Sequence, residues 1–334
     1  MKRVDPDSKI ANVVEILSQQ NDILDDMLFI EGNLPTGHRT TLRTSLPTGT
    51  FRSINSGVLP TKSTSAQIED AAAMLETYSE IDQALCELNG NDEEFRLSED
   101  KAFLEGLNQQ MAGTLFYGNQ RISPQTFTGL APRYNTVQTA VTPTATNVLD
   151  AGGLGSTNTS IWLAVWGDNS LAGFFPKGAK TGAGLTMEDK GLQTIYDGVG
   201  GGVGGRYEAY RTHFLWKMGL TVRDWRFCVR IANIDVTGLP VTGTLGSNNQ
   251  PNLSGKADLI TLMQRAMRKI PNMGMGRPAF YVNRAVASAI DIQAANRPNL
   301  LRSVEDVMGK RYDTFQGIPI RICDQLLGSE GRVT

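Results

Sequence analysis

The sequence predicts an α+β fold of more than one layer, and three observations lead there. Residues 98–117 write one long amphipathic helix, with Leu104, Leu107, Met111 and Leu115 in a narrow apolar stripe opposite Lys101, Glu105, Asn108 and Gln109. Residues 207–234 hold the longest period-2 alternation, with Phe214, Trp216, Met218, Leu220 and Val222 on one strand face. Residues 253–334 alternate helix and strand signals, as a small α/β unit does.

The elements follow in order. Asp5-Pro6 reads as a helix cap followed by proline at the first helical position. Ile10, Val13, Val14, Leu17, Leu24, Met27 and Leu28 then share one helical face, and the glycine- and proline-bearing stretch at 31–37 breaks it. Residues 37–64 change character. Arg39, Thr41 and Arg43 alternate with Thr40, Leu42 and Thr44, and Pro47-Thr48-Gly49 offers a turn. This is an extended hairpin with too few apolar residues to build its own core, and such a hairpin is marginal alone in water. Residues 65–88 read as a helix on Ile68, Ala71, Ala72, Leu75, Tyr78, Ile81, Leu85 and Leu88, stopped by Asn89-Gly90. Ser98 reads as the cap of the long helix, with Glu99 and Asp100 favouring its positive dipole end.

Residues 136–160 read as loop or weak strand, and 159–166 as a buried strand. Glycine-rich stretches at 173–185 and 198–205 bracket a loop-rich insert. Within 207–234 the apolar face shifts to Trp225, Phe227, Val229 and Ile231, which predicts a bulge or tight bend at Asp224. Residues 237–252, rich in Gly, Asn and Pro, read as a linker. Ser254 then reads as the cap of a helix ending at Pro271, the strand 279–282 follows, and Asn283 caps another helix.

Composition narrows the function. Lys plus Arg is 32 and Asp plus Glu is 34, a net charge of −2, so a nucleic-acid glue with a strong basic excess is excluded. Cys86, Cys228 and Cys323 are too few and too far apart for a disulfide framework or a zinc module, and read as buried thiols. No apolar run approaches membrane-spanning length, and the first residues lack the apolar core of a signal peptide.

Chemical motifs are tested and set aside. Gly200, Gly202 and Gly205 match a dinucleotide fingerprint in letters, but they precede a strand where the fingerprint opens a helix. In residues 173–181 Ala179 separates Gly178 from Lys180, which breaks the phosphate-cradling loop. Ser98 with Lys101 matches a hydrolase signature of two fixed positions and is explained by helix capping. His38 and His213 are the only histidines, and no metal-ligand spacing occurs. The sequence therefore names no catalytic, cofactor-binding or metal-ligating residue. One cluster is kept as a candidate contact surface: Arg39, Leu42, Arg43, Leu46, Phe51, Arg52 and Lys62 of the hairpin, whose arginine forks suit carboxylates of an adjacent subunit.

The long helix runs into Phe116-Tyr117-Gly118-Asn119, and a polar loop leads to Phe127-Thr128-Gly129-Leu130. With the hairpin before it and the α/β segment after it, this order resembles tailed-phage major capsid proteins of the Hong Kong type fold. The resemblance implies an N-terminal helix and arm at 1–36, an E-loop hairpin at 37–64, and a peripheral domain at 65–236 with spine helix 98–117 and long strands 207–234. After the linker at 237–252 it implies an axial domain at 253–334. The usual family order places the long strands after the axial domain, so the order here resembles a variant with transposed segments. The implied function is a non-enzymatic subunit of an icosahedral shell around a double-stranded DNA genome, located in the virion capsid and assembled in host cytoplasm. Implied partners are copies of itself in hexamers and pentamers, a scaffolding protein, a portal and a decoration protein, with no sequence-specific DNA binding and no membrane. Family members that cross-link subunits use a lysine and an asparagine; Lys62 is the only lysine near the hairpin and no catalytic acid maps, so that activity is not carried over. Two rivals remain: an encapsulin-like compartment shell, and a nucleotide-binding enzyme using the glycine-rich loops.

Overall fold

The computed structural model describes residues 19–89, 92–137, 142–179, 184–196, 204–237, 239, 257–295, 302–307 and 310–334. The core is built around one fully buried strand, Asn158–Trp166, here β6. Its run of Ile161, Trp162, Leu163, Ala164, Val165 and Trp166 is apolar on both faces, as a strand covered on both sides requires. On one edge it pairs antiparallel with β10 (Cys228–Asp235), on the other with β11 (Arg277–Val282). Beyond β11 the sheet continues through β14 (Ile318–Ile322), β13 (Lys310–Phe315) and β12 (Arg302–Val307). The short strands β1 (Phe29–Glu31) and β5 (Val148–Asp150) add to β7 (Leu171–Phe175) and β10 in parallel.

A second region extends from β7 through β9 (Arg206–Val222), which is flanked by β4 (Ala73–Asp82) and β8 (Thr186–Tyr196). The long helix α3 (Asp92–Tyr117) follows the short helices α1 (Ile23–Asp26) and α2 (Gln83–Asn89) and precedes the single turn α4 (Leu130–Arg133). Its first half lies on the β9 ribbon, where Phe103 stacks on Phe214 at 6.2 Å between centroids and Arg96 pairs with Asp189 at 2.8 Å. Its second half enters the core, with Leu107, Met111, Ala112, Leu115 and Phe116 buried. Phe116 and Tyr134 pack on Trp162 at 6.3 and 6.0 Å, within the range where aromatic pairs attract beyond area burial.

The α+β class and the long helix ending at Tyr117 hold. Several local expectations do not. Residues 65–82 are strands, β3 (Thr64–Ala71) and β4, and only Gln83–Asn89 is helical. Leu75, Thr77, Ser79 and Ile81 also alternate, and the ladder offered by β9 from Met218 to Ala209 selects the extended reading. The long helix begins at Asp92, so Ser98 lies in its interior and caps nothing. The insert between the glycine-rich stretches is not loop but strand: β8 runs eleven residues against β9. The slip at Asp224 is a tight bend, a 3-10 turn at Trp225–Phe227 capped by Asp224, whose Oδ1 accepts from Arg226 N–H at 3.0 Å. It sends β9 and β10 to different neighbours. Of the N-terminal helix, 1–18 lie outside the described residues, and from 19 to 28 only Ile23–Asp26 is helical. Ser254 and most of the linker also lie outside them; the helix there, α5 (Leu259–Lys269), is capped by Asp258, which accepts from Thr261 N–H at 3.2 Å. The cap at Asn283 is as expected, accepting from Val286 N–H at 2.8 Å at the start of α6 (Arg284–Ala295).

Candidate functional site

The hairpin pairs β2 (Gly37–Ser45) with β3, from Gly37 opposite Ala71 to Ser45 opposite Thr64. The expected turn at Pro47-Thr48-Gly49 is absent. Residues 46–63 form one long connection without strand structure. Proline at 47 and 60 and the few apolar residues give this stretch no ladder to join. The two strands form a sheet of their own, hydrogen-bonded to no other strand among the described residues.

The root of the hairpin is pinned by side-chain contacts to the body. At the root, Asn33 bridges Arg39 twice at 2.7 Å, through both its amide and its carbonyl. Buried Asp70 on β3 accepts from Arg133 at 2.8 Å, and Arg133 also donates to the backbone oxygens of Thr128 and Leu220. Buried His38 meets Arg223 at 3.0 Å, and Arg223 pairs with Asp168 at 2.8 Å. Two donors face the ring, Arg223 at Nε2 and the Asn33 N–H at Nδ1 (3.3 Å); a neutral imidazole accepts from one of them, and an imidazolium, which only donates, accepts from neither. Burial, then the Arg223 charge, push the His38 pKa below its ordinary value. Gly37 permits this closeness, since a Cβ there would sit 2.5 Å from the Asp70 carbonyl oxygen.

All seven hairpin residues singled out from the sequence lie on this projecting element. Arg39, Arg43, Leu46, Phe51, Arg52 and Lys62 are exposed, and Leu42 is half-buried on the shaft. Arg39 pairs with Glu69 at 2.8 Å across the ladder, an exposed pair that adds little stability. Arg52 donates to the Ser56 carbonyl at 3.1 Å. Sequence reasoning missed Ile54, Val58 and Leu59, which are exposed with Leu46 and Phe51. Their signal was present: five apolar side chains in a stretch with neither helical nor strand periodicity. The root contacts of Asp70 and Arg133, 63 positions apart, left no local signal.

The spine-end motif has its own geometry. Gly129 N–H donates to the Gly118 carbonyl at 2.8 Å, closing the 119–128 loop back on the helix end. A Cβ on Gly118 would sit 2.6 Å from the Phe127 and Thr114 oxygens, and one on Gly129 2.6 Å from the Leu115 and Thr114 oxygens. Both glycines exist for backbone contact, and Phe116, Phe127 and Leu130 are fully buried around them. Tyr117 donates to Glu330 at 2.5 Å, Ser160 donates to the other carboxylate oxygen at 2.5 Å, and Arg230 donates to that same oxygen at 2.8 Å. Arg230 also donates to the Tyr134 carbonyl and lies 5.0 Å over the Trp162 ring. This buried network, which the sequence did not announce, fastens the C-terminal segment to the spine end and to β6 and β10. Burial and the Glu330 charge push the Tyr117 phenol far above its ordinary range.

Among the described residues no three His, Cys, Asp or Glu side chains gather as a metal would need. His213 contacts Glu76 at 2.6 Å and stacks on Tyr78 at 4.5 Å, an acid–imidazole pair lying across the β4–β9 ladder. Cys86, Cys228 and Cys323 are buried thiols outside any disulfide, and burial pushes the Cys228 thiol up to about 12. Gly200 and Gly202 lie outside the described residues, and Gly205 leads into β9.

A family model described as major capsid protein GP7 matches residues 5–334. The solved structure of bacteriophage Epsilon15 superposes with a TM-score of 0.74 at 33% identity, covering 99% of this chain and 95% of that one. The capsid of bacteriophage JBD30 matches at TM-score 0.42 and 10% identity, covering 93% of each chain. The SrpI encapsulin complex of Synechococcus elongatus matches at TM-score 0.42 and 11% identity, covering 68% of this chain and 94% of that one. Likeness at the level of these last two supports no functional argument. No curated protein matches the chain.

Proposed function

The chain belongs to the family of major capsid protein GP7 and is a structural subunit of a tailed-phage shell, and from that premise we propose that its projecting hairpin is the arm by which each copy grips the next. One observation supports this most directly: residues 46–63 hold Leu46, Phe51, Ile54, Val58 and Leu59 in water while the hairpin root is pinned by Asn33, Asp70 and His38. Apolar side chains held out on a fixed stalk gain stability only by burial against another molecule, at ~1.5–3 kcal/mol for each one fully buried. A closed shell repeats that contact on every subunit, so a modest contact suffices.

Arg39 already pairs with Glu69 across the ladder, while Arg43, Arg52 and Lys62 have no carboxylate within residues 37–64. They meet carboxylates of the neighbouring copy while Leu42, Leu46 and Phe51 bury against it. The subunit is non-enzymatic and assembles as hexamers and pentamers in the host cytoplasm, with a scaffolding protein, portal and decoration protein as partners. The division into arm at 1–36, hairpin at 37–64, peripheral domain at 65–236, linker at 237–252 and axial domain at 253–334 belongs to the same reading. It is tested by joining Ser45 to Thr64 through an Asn-Gly turn, which keeps the β2–β3 ladder and removes the tip. The shortened chain should fold and fail to close shells in negative-stain images. Closed shells of normal size would remove the hairpin from the assembly mechanism.

A further inference from the structure

We propose that the outward face of α5 is a phosphate-binding cleft through which the shell subunit touches the backbone of the enclosed nucleic acid. The proposal rests on the shell reading above and adds a contact that confinement alone does not require. The cleft is lined by Thr261, Gln264, Arg265, Arg268, Lys269 and Gln316. Among the described residues its lining has three cations, two amides and a hydroxyl, and no acid. The whole chain carries a net charge of −2, so this local excess is not a reflection of composition.

The arrangement is periodic. Thr261, Gln264, Arg265 and Arg268 recur at three- and four-residue steps, which places them on one helix face at ~5–6 Å spacing. Arg265 and Arg268 are exposed and make no ion pair among the described residues. Lys269 is turned aside to donate to the Thr146 carbonyl oxygen, and burial, then Arg265, lower its pKa. Like charges crowded in this way are relieved by a bound anion. Asp258, the acid one turn away, is spent on capping: it accepts from Thr261 N–H at 3.2 Å and from the Thr261 hydroxyl at 2.6 Å. Gln316 is brought to the cleft by the turn between β13 and β14, where it adopts φ 51 and Gly317 φ 81.

Two polyanions could answer this charge, and the lining separates them. A protein partner buries an apolar centre inside a polar rim. Among the described residues no lining side chain is apolar. A nucleic-acid backbone asks only for guanidinium forks and amide donors, which fix position and read no sequence. The apolar face of α5 is already used inward, by Leu259, Ile260, Leu262, Met263 and Ala266.

The experiment uses the unassembled full chain and a fluorescent 20-base-pair duplex, with affinity measured against salt. R265Q/R268Q should weaken binding and lower the magnitude of the log-log salt slope by about 2, one for each lost phosphate contact. R265K/R268K, which keeps both charges, should keep the slope. An unchanged slope in R265Q/R268Q overturns the proposal. So does a wild-type chain that binds polyglutamate as tightly as the duplex at equal salt, which would assign the cleft to an acidic protein segment. Electron microscopy of the same preparations keeps the two readings apart: shells that close normally with an unchanged salt slope refute the cleft and leave the shell function intact. If R265Q/R268Q proves unfolded by circular dichroism, R268Q alone is measured, with an expected slope change of about 1.

Discussion

Glu330→Gln is the most informative single change. In the folded chain the Glu330 carboxylate lies at 5% exposure and accepts from Tyr117, Ser160 and Arg230, whose guanidinium is equally buried. The amide of Gln keeps the shape and removes the charge. It also turns one acceptor oxygen into a donor that faces hydroxyls or a guanidinium. Arg230 is then a buried cation whose remaining partners are the Tyr134 carbonyl, the Ser160 hydroxyl and the Trp162 ring. Removing one partner of a buried pair costs about 3–5 kcal/mol, most of it the stranded charge. With a urea m-value of roughly 3 kcal/mol/M for a chain of this size, the unfolding midpoint should fall by about 1 M or more. The assay is urea unfolding of the unassembled chain followed by tryptophan fluorescence, for which Trp162 beside Arg230 is a local reporter. R230M/E330L removes both charges and should regain most of the loss. If Glu330→Gln stays within about 1 kcal/mol of the parent, the network is not a fastening and the reasoning fails.

Gly129→Ala should destabilise by about 1–3 kcal/mol, because both atoms the new Cβ would strike at 2.6 Å are backbone oxygens; Gly106→Ala, which meets nothing in α3, should instead stabilise by about 0.5–1 kcal/mol, and thermal melts of the two distinguish them. His38 has a folded pKa below its ordinary 6.5, so the unfolded chain takes up the proton first as pH falls through 6.5, and stability is lost from there down to the folded pKa. Urea melts at pH 7.5 and 5.5 should therefore show a smaller acid loss in His38→Gln than in the parent, and equal losses would refute the neutral imidazole. Phe51→Ser with Ile54→Ser should leave the melting temperature of the free chain within about 0.5 kcal/mol equivalent while raising the concentration needed for shells to form, read by light scattering.

The long helix, the bend at Asp224 and the buried strand of the core were legible because each is written in consecutive residues. Leu107, Met111 and Leu115 state their period directly, and TSIWLAVW can only be buried. The glycines of the spine-end motif were visible as a pattern, but the reason for them, two backbones in contact, is a tertiary fact. Residues 65–82 failed for an instructive reason. Their apolar residues satisfy a helical stripe, and only the ladder offered by β9, some 130 positions away, decides for strand. The hairpin was readable as an element that cannot stand alone, and its exposed cations were found. Its root was not, because Asp70, Arg133, His38 and Arg223 are ordinary charged residues until the fold brings them together.

The hairpin also sets a length scale. Its shaft, nine residues at ~3.3 Å each, spans about 30 Å, and residues 46–63, folded back on themselves, add up to about 30 Å more. A compact body of this many residues has a radius of gyration of only about 20 Å. A compact sphere of that radius of gyration is about 50 Å across, so the arm's reach is comparable with the width of the body that carries it. On the assembly role proposed above, an arm of this reach extends to copies beyond those adjoining the body, and curvature changes between neighbours while the tether stays attached.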